Sequence, residues 1–171
     1  MTGQAVVVAL GSNLGERGDI LQGGVDAIAG IEGVQLTRVS PVYETVPVGG
    51  PPQPDYLNAV VLADITIPAR ELLDRLHEVE AAFERVRLVR WGPRTLDLDI
   101  ITVAGERSDD PDLTLPHPRA HERAFVLVPW HDIDPAAELP GHGPVAKLLA
   151  GLDTTGIRRS DVPLVLQEAG S

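Results

Sequence analysis

The chain contains no cysteine, which excludes disulfides and thiolate metal sites and fits a reducing compartment. It has only six aromatic residues, two each of Trp, Tyr and Phe, so its core must be built mainly from Val, Leu, Ile and Ala. No long apolar run and no basic N-terminal leader occur. Neither a signal peptide nor a membrane span is expected, and the cytoplasm is the default location. Cationic charge is also scarce: fourteen basic residues against twenty-five acidic leave a net charge of −11. That balance argues against nucleic acid or an anionic membrane as the partner. At 171 residues the chain can bury a core and reads as one domain over 1–171, with 152–171 as a tail.

What is present is concentrated in one stretch, Arg90-Trp91-Gly92-Pro93-Arg94-Thr95-Leu96-Asp97-Leu98-Asp99-Ile100-Ile101. It reads as a cationic loop running into a short buried strand. On an extended chain Asp97 and Asp99 face one way and Leu98 and Ile100 the other. Their Cα atoms are then roughly 7 Å apart, a span suited to carboxylates that share a metal or hold a pair of them. Oxygen donors without cysteine favour magnesium. No acidic residue occurs between Arg85 and Leu96, while Arg85, Arg87, Arg90 and Arg94 all do. Guanidinium groups match phosphate oxygens, so acids and arginines together describe a polyphosphate site. Of the fourteen basic residues only Lys147 is lysine; coding bias explains that choice but not the clustering.

In chain order, Gln4 to Leu10 is a compact apolar run expected to form a central strand. Gly11-Ser12-Asn13-Leu14-Gly15 is a strand-to-helix turn that matches neither a P-loop nor a dinucleotide fingerprint. Asp19 and Gln22 resemble a capping box for a helix carrying Leu21, Val25 and Ile28, with Gly23 and Gly24 weakening it. Val34 to Thr45 reads as a second strand demoted to an edge or bulge by Pro41. Tyr56 to Thr66 is a third strand. Pro68 opens an amphipathic helix with Leu72, Leu73, Leu76, Val79 and Phe83 on one stripe; His77 and Glu80 fall off it and read as solvated.

Gly105 to Asp112, His131-Asp132 and His142 read as turns, Phe125 to Trp130 as core, and Val145 to Leu152 as a short helix. His117 and His121 have a zinc-compatible spacing, but prolines flank His117 and no third soft ligand is evident. The order strand, helix, strand, strand, helix, strand predicts an α+β fold. Its core is a ferredoxin-like βαββαβ unit with helices on one face of a mainly antiparallel sheet, followed by a C-terminal extension.

Four blocks, in order, resemble a known family. They are Ala9-Leu10-Gly11-Ser12-Asn13-Leu14-Gly15, Gln53-Pro54-Asp55-Tyr56-Leu57-Asn58-Ala59, the Arg90 to Ile101 stretch, and Leu113-Thr114-Leu115-Pro116-His117. Together they are similar to the 6-hydroxymethyl-7,8-dihydropterin pyrophosphokinases of folate biosynthesis, over roughly residues 4 to 135. The resemblance implies that ATP and the reduced pterin bind side by side, that pyrophosphate passes to the pterin hydroxymethyl group, and that AMP leaves.

It also implies residue roles. Asp97 and Asp99 match the ligands of two magnesium ions. Arg85 and Arg94 match catalytic loop arginines. Gly11, Ser12, Asn13, Thr45, Val46, Tyr56, Asn58 and Phe125 match the pterin pocket, with Phe125 stacking on the ring and Asn58 meeting its polar edge. Glu80, Arg87, Trp91, Arg94, Ile100, His117 and Arg123 match ATP contacts. The segment between Arg87 and Arg90 is one residue shorter than in a family member, so Arg85 and Arg87 compete for one catalytic position. Pro118 and Asp112 stand where some members have Tyr and Arg. The expected partners are therefore small molecules only, and a monomer is expected. The competing classes are a non-catalytic pterin or nucleotide binder and an ordinary kinase or nucleotidyltransferase using the same aspartates.

Overall fold

The computed structural model describes residues 3–12, 17–45, 56–86, 96–160 and 164, without the side chains of 17–19, 56 and 84–86. The elements are β1 (Gln4–Ser12), α1 (Arg17–Ala29), β2 (Val34–Val39), β3 (Tyr43–Thr45), β4 (Tyr56–Ile65), α2 (Ala69–Val86) and β5 (Asp97–Val103). After them come β6 (Ser108–Asp110), β7 (Leu113–Leu115), α3 (Ala124–Ile133), β8 (Glu138–Leu139), β9 (Gly143–Pro144), α4 (Val145–Ala150) and β10 (Ile157–Arg159). A 3₁₀ turn at Ala120–Glu122 leads into α3.

The main sheet runs β10-β3-β4-β1-β5, with β2 also on β4, and every pairing is antiparallel. The seven elements from β1 to β5, with β2 and β3 together standing for one strand, therefore realise the expected βαββαβ core, with β1 central. Pro41 does more than weaken an edge: it splits the expected second strand in two. The ladder is carried past the break by Ser40, whose N–H donates to the Val60 carbonyl and whose hydroxyl accepts the Val60 N–H, both at 2.9 Å. β2 and β3 thus lie end to end along one edge of β4.

Strand alternation divides the side chains into two cores. Val6, Val8, Leu10, Val61, Leu98 and Ile100 pack with Leu21, Val25 and Ile28 of α1 and Leu72 and Leu76 of α2. Val7, Ala9, Val60 and Ile101 pack on the other face with Val126, Leu127 and Trp130 of α3. The helices of the core unit share one face, and the extension supplies the cover for the other. Between Val7 and Val8 the β1–β5 register shifts, leaving Ile101 as the extra residue. Its carbonyl accepts the His117 N–H at 2.8 Å, so the bulge also fastens the chain beyond β7 to β5.

Several local expectations change. α1 begins at Arg17, so Asp19 lies inside its first turn rather than at its cap. Gly23 and Gly24 permit close packing: a Cβ would stand 2.8 Å from Phe83 Cζ and 3.1 Å from Leu96 Cδ2, respectively. Gly105 to Asp112 is only partly a turn, since β6 pairs with β7 in a small hairpin. Phe125 to Trp130 is helical, and His131 and Asp132 form the last turn of α3. Within the stretch read as a tail, β10 pairs with β3.

Tyr43 joins β3 to α3 by donating its hydroxyl to Asp132. Burial and the Asp132 carboxylate push its pKa up from 10.0 to about 12. The protonated phenol is favoured in the fold, so its contribution to stability is complete below pH 10 and is lost as pH rises through about 12. In Tyr43→Phe, alkaline melts should lack that decline and the phenolate absorbance step near pH 12 should vanish; an unchanged step would refute the assignment. Leu76 is fully buried beneath α2, and Leu76→Ala should cost about 2–5 kcal/mol in denaturant titration. A cost near zero would mean that α2 does not close the core.

Candidate active site

The end of β1 is the geometric centre. Gly11 lies opposite Asn58 of β4 on one side and Asp97 of β5 on the other. Directly opposed residues face the same side of an antiparallel sheet. Asn58 and Asp97 therefore flank the glycine at a backbone separation of about 10 Å, two strand spacings. A Cβ at Gly11 would stand 3.2 Å from Asn58 Oδ1, so the absent side chain keeps the floor open between carboxamide and carboxylate. Asp99 is opposite Ala9 and continues the same face, as the alternation of the D-L-D motif predicts.

Asn58 is 7% exposed and donates from Nδ2 to Thr45 Oγ1 at 2.9 Å. That bond sets the orientation of its carboxamide and brings together two expected pterin residues from neighbouring strands. Alternation turns Ser12 to the opposite face, where its buried hydroxyl has no hydrogen-bond partner among the described residues. The site can thus meet Ser12 through its backbone rather than its hydroxyl.

Beside Asp99 opens a cleft of about 260 Å³, with Glu80, Ile100, Asp112, Thr114 and His117 among its lining residues. Three of the expected ATP contacts, Glu80, Ile100 and His117, are thereby assembled from α2, β5 and the segment after β7. Glu80 is not solvated as expected from its charge: the 3.6-residue period sets it between Leu73 and Leu76 on α2, it is 8% exposed and its Oε2 accepts the Leu98 N–H at 2.8 Å. A buried carboxylate accepting a backbone N–H from β5 ties α2 to the aspartate strand. Asp112 and Thr114 join the lining because the β6–β7 hairpin folds against the strand.

Electrostatic organisation runs through Arg123. Its Nη1 is 3.9 Å from Asp99 Oδ2, and its guanidinium stands over the Phe125 ring at 5.7 Å from the centroid. Phe125 is half-buried at the start of α3 rather than sealed in the core. Burial holds the His117 imidazole below its usual pKa, opposed by Asp99 and reinforced by Arg123 and Arg119. Its Nδ1 accepts the Arg119 N–H at 3.2 Å, which leaves Nε2–H of the neutral ring as a donor.

Asn13, Val46, Arg87, Trp91 and Arg94 lie outside the described residues, and Arg85 and Tyr56 are described in backbone only. Among the described residues no group of three or more His, Asp or Glu converges to hold a metal. Magnesium fits what is there nonetheless: it binds through one or two carboxylates and completes its octahedron with water and substrate phosphates. Asp97 and Asp99 supply hard donors on one face, and the Asp99 side chain is 46% exposed.

A family model described as 7,8-dihydro-6-hydroxymethylpterin-pyrophosphokinase (HPPK) matches residues 7–135. A 2-amino-4-hydroxy-6-hydroxymethyldihydropteridine pyrophosphokinase of Pseudomonas aeruginosa is 42% identical over 156 residues, covering 91% of this chain and 96% of its own. The enzyme of that name from Mycobacterium tuberculosis is 47% identical over 161 residues, with 86% and 84% covered. Among solved structures, the HPPK-DHPS of Plasmodium falciparum with pterin and p-hydroxybenzoate superposes with a TM-score of 0.66 at 14% identity. It covers 86% of this chain, which spans 43% of the HPPK-DHPS chain, less than half its length. An HPPK-DHPS in complex with substrates gives 0.65 at 11% identity, with 88% and 43% covered; at these identities the likeness concerns the fold. The match over most of the chain and the identity to full-length relatives show that this protein belongs to the 7,8-dihydro-6-hydroxymethylpterin-pyrophosphokinase family.

Proposed function

We propose that the floor around Gly11 receives the pterin and the cleft beside Asp99 receives ATP, so that the two substrates meet over Asp97 and Asp99. The observation that carries this reading is the register placing Asn58, Gly11 and Asp97 side by side. The reaction is that of the family: pyrophosphoryl transfer from ATP to 6-hydroxymethyl-7,8-dihydropterin, a step of folate biosynthesis. The hydroxymethyl oxygen gives up its proton to solvent and forms a bond to the β-phosphorus, the bond from that phosphorus to the α-phosphate's bridging oxygen breaks, and AMP departs with the electron pair.

In this reading Asn58, oriented by Thr45, meets the polar edge of the pterin while Phe125 stacks on its ring, and the backbone from Gly11 to Asn13 with Val46 and Tyr56 completes the pocket. The Nε2–H of His117, the Arg123 guanidinium and the apolar side of Ile100 hold the nucleotide, and Glu80 keeps the cleft wall on β5. Arg85, Arg87, Trp91 and Arg94 close over the phosphates, where guanidinium charge offsets the charge that develops in transfer. Asp97 and Asp99 would hold two magnesium ions, which neutralise phosphate charge and polarise the phosphorus when bound. Transfer of this kind needs alignment and charge neutralisation more than covalent help. The net charge of −11 and the lack of any described helix long and apolar enough to cross a membrane support small molecules as the partners. Residues 1–171 then act as one catalytic unit, a monomer of the cytoplasm.

Incubation with Mg-ATP and the hydroxymethyl pterin should release AMP only when pterin is present. ADP would indicate an ordinary kinase, free pyrophosphate a nucleotidyltransferase, and no turnover a binding module. Asp97→Asn should lower kcat by about 10²–10³ or more with an unchanged melting temperature, because the substitution keeps the side chain's shape and Asp97 belongs to neither apolar core. Near-wild-type kcat would overturn the metal-ligand role.

A further inference from the structure

The imidazoles of His121 and His142 stack with centroids 4.1 Å apart and planes inclined by 10°. His121 belongs to the 3₁₀ turn that ends at Arg123, and His142 lies in the β8–β9 turn, far from the catalytic strands in sequence. We propose that His142 is a positioning residue for the nucleotide half of the site, acting through this stack on His121 and so on Arg123. The inference rests on the reading that Arg123 contacts ATP.

The geometry supplies the link at each step. The β8–β9 hairpin is a fixed platform: Leu139 and Val145 are fully buried, the Val145 N–H donates to Ala137 at 3.0 Å, and the His142 N–H donates to Leu139 at 2.9 Å. Two glycines with φ of +81° and +102°, Gly141 and Gly143, make the sharp turn that presents the ring. The Arg107 guanidinium stands 3.4 Å from where a Cβ on Gly141 would be, bracing the same turn from the β5–β6 side.

On the other side, the 3₁₀ turn is pinned inward by Ala120, which is fully buried. Its outward hold is weaker. His121 Nδ1 is buried without a hydrogen-bond partner among the described residues, and Nε2 reaches Glu122 Oε1 only at 3.5 Å. Stacking on His142 therefore supplies a constraint on the ring that its own hydrogen bonds do not. The Arg123 N–H bonds to the Ala120 carbonyl at 3.1 Å, so rotation of this turn changes where the guanidinium stands relative to Asp99. His142 itself is exposed, and its removal leaves the core intact.

Steady-state kinetics on His142→Ala, His142→Phe and Arg123→Ala test the proposal. His142→Ala should raise the KM for ATP about threefold to tenfold, the usual worth of an aromatic pair, with pterin affinity and melting temperature unchanged. His142→Phe keeps a flat ring and should restore the KM to within about twofold. Failure of His142→Ala to raise the KM, an equal loss of pterin affinity, or absence of rescue by Phe overturns the inference. Arg123→Ala separates the two levels. If it leaves the KM for ATP unchanged, the nucleotide role of Arg123 falls, and the inference with it. If it raises the KM while His142→Ala does not, only the stack's role falls.

Discussion

The antiparallel register that holds β1 between β4 and β5 is the constraint on which the site depends. It sets Asn58, Gly11 and Asp97 in one row, with Asp99 one pleat further along. A slip of one residue in either pairing would turn the carboxamide or the aspartates to the opposite face. The register is enforced by burial on both faces of β1, where Val6, Val8 and Leu10 enter one core and Val7 and Ala9 the other. Apolar packing thus decides the geometry of polar groups that themselves contribute little to stability.

The two faces are closed by different parts of the chain. α1 and α2 come from the βαββαβ unit and seal their side, while α3 and the hairpin after it cover part of the other. The row of polar residues lies on the α3 side, near the ends of β1, β4 and β5. Glu80 makes the two sides interdependent: it comes from α2, yet accepts the N–H of Leu98, between the two aspartates. The bulge at Ile101 does the same for the segment carrying His117. The aspartate strand is consequently gripped from the helix layer, from β1 and from the extension, a preorganisation that lets carboxylates hold position against the repulsion between them.

Arg123 occupies the meeting point of these supports. It faces Asp99, stands over Phe125, and heads the helix that covers the second core. A cation between an aspartate and an aromatic ring joins the proposed phosphate and pterin regions. The Tyr43–Asp132 contact fastens the other end of the same helix to β3, the strand that carries Thr45. α3 is therefore held at both ends by polar contacts and along its length by Val126, Leu127 and Trp130.

The sequence by itself determined the core topology and, through its resemblance to a family, the reaction. Period-two alternation put Asp97 and Asp99 on one face, the apolar run from Gln4 marked the central strand, and the stripe through Leu72 and Leu76 marked α2. Those signals are local, so they survive in a linear reading. Tertiary structure alone decided which strands flank Gly11, that Glu80, which falls between Leu73 and Leu76 on the helical circumference, is buried with its carboxylate on β5, and how Pro41 divides one expected strand into two. It alone made Phe125 to Trp130 a helix, since a continuous apolar run fits a buried helix or a buried strand equally well, and only the exposed face of the sheet selects between them. The meeting of His121 with His142 and of Tyr43 with Asp132 was likewise invisible in the sequence, because contacts between residues far apart in the chain follow from packing and leave no period in the sequence.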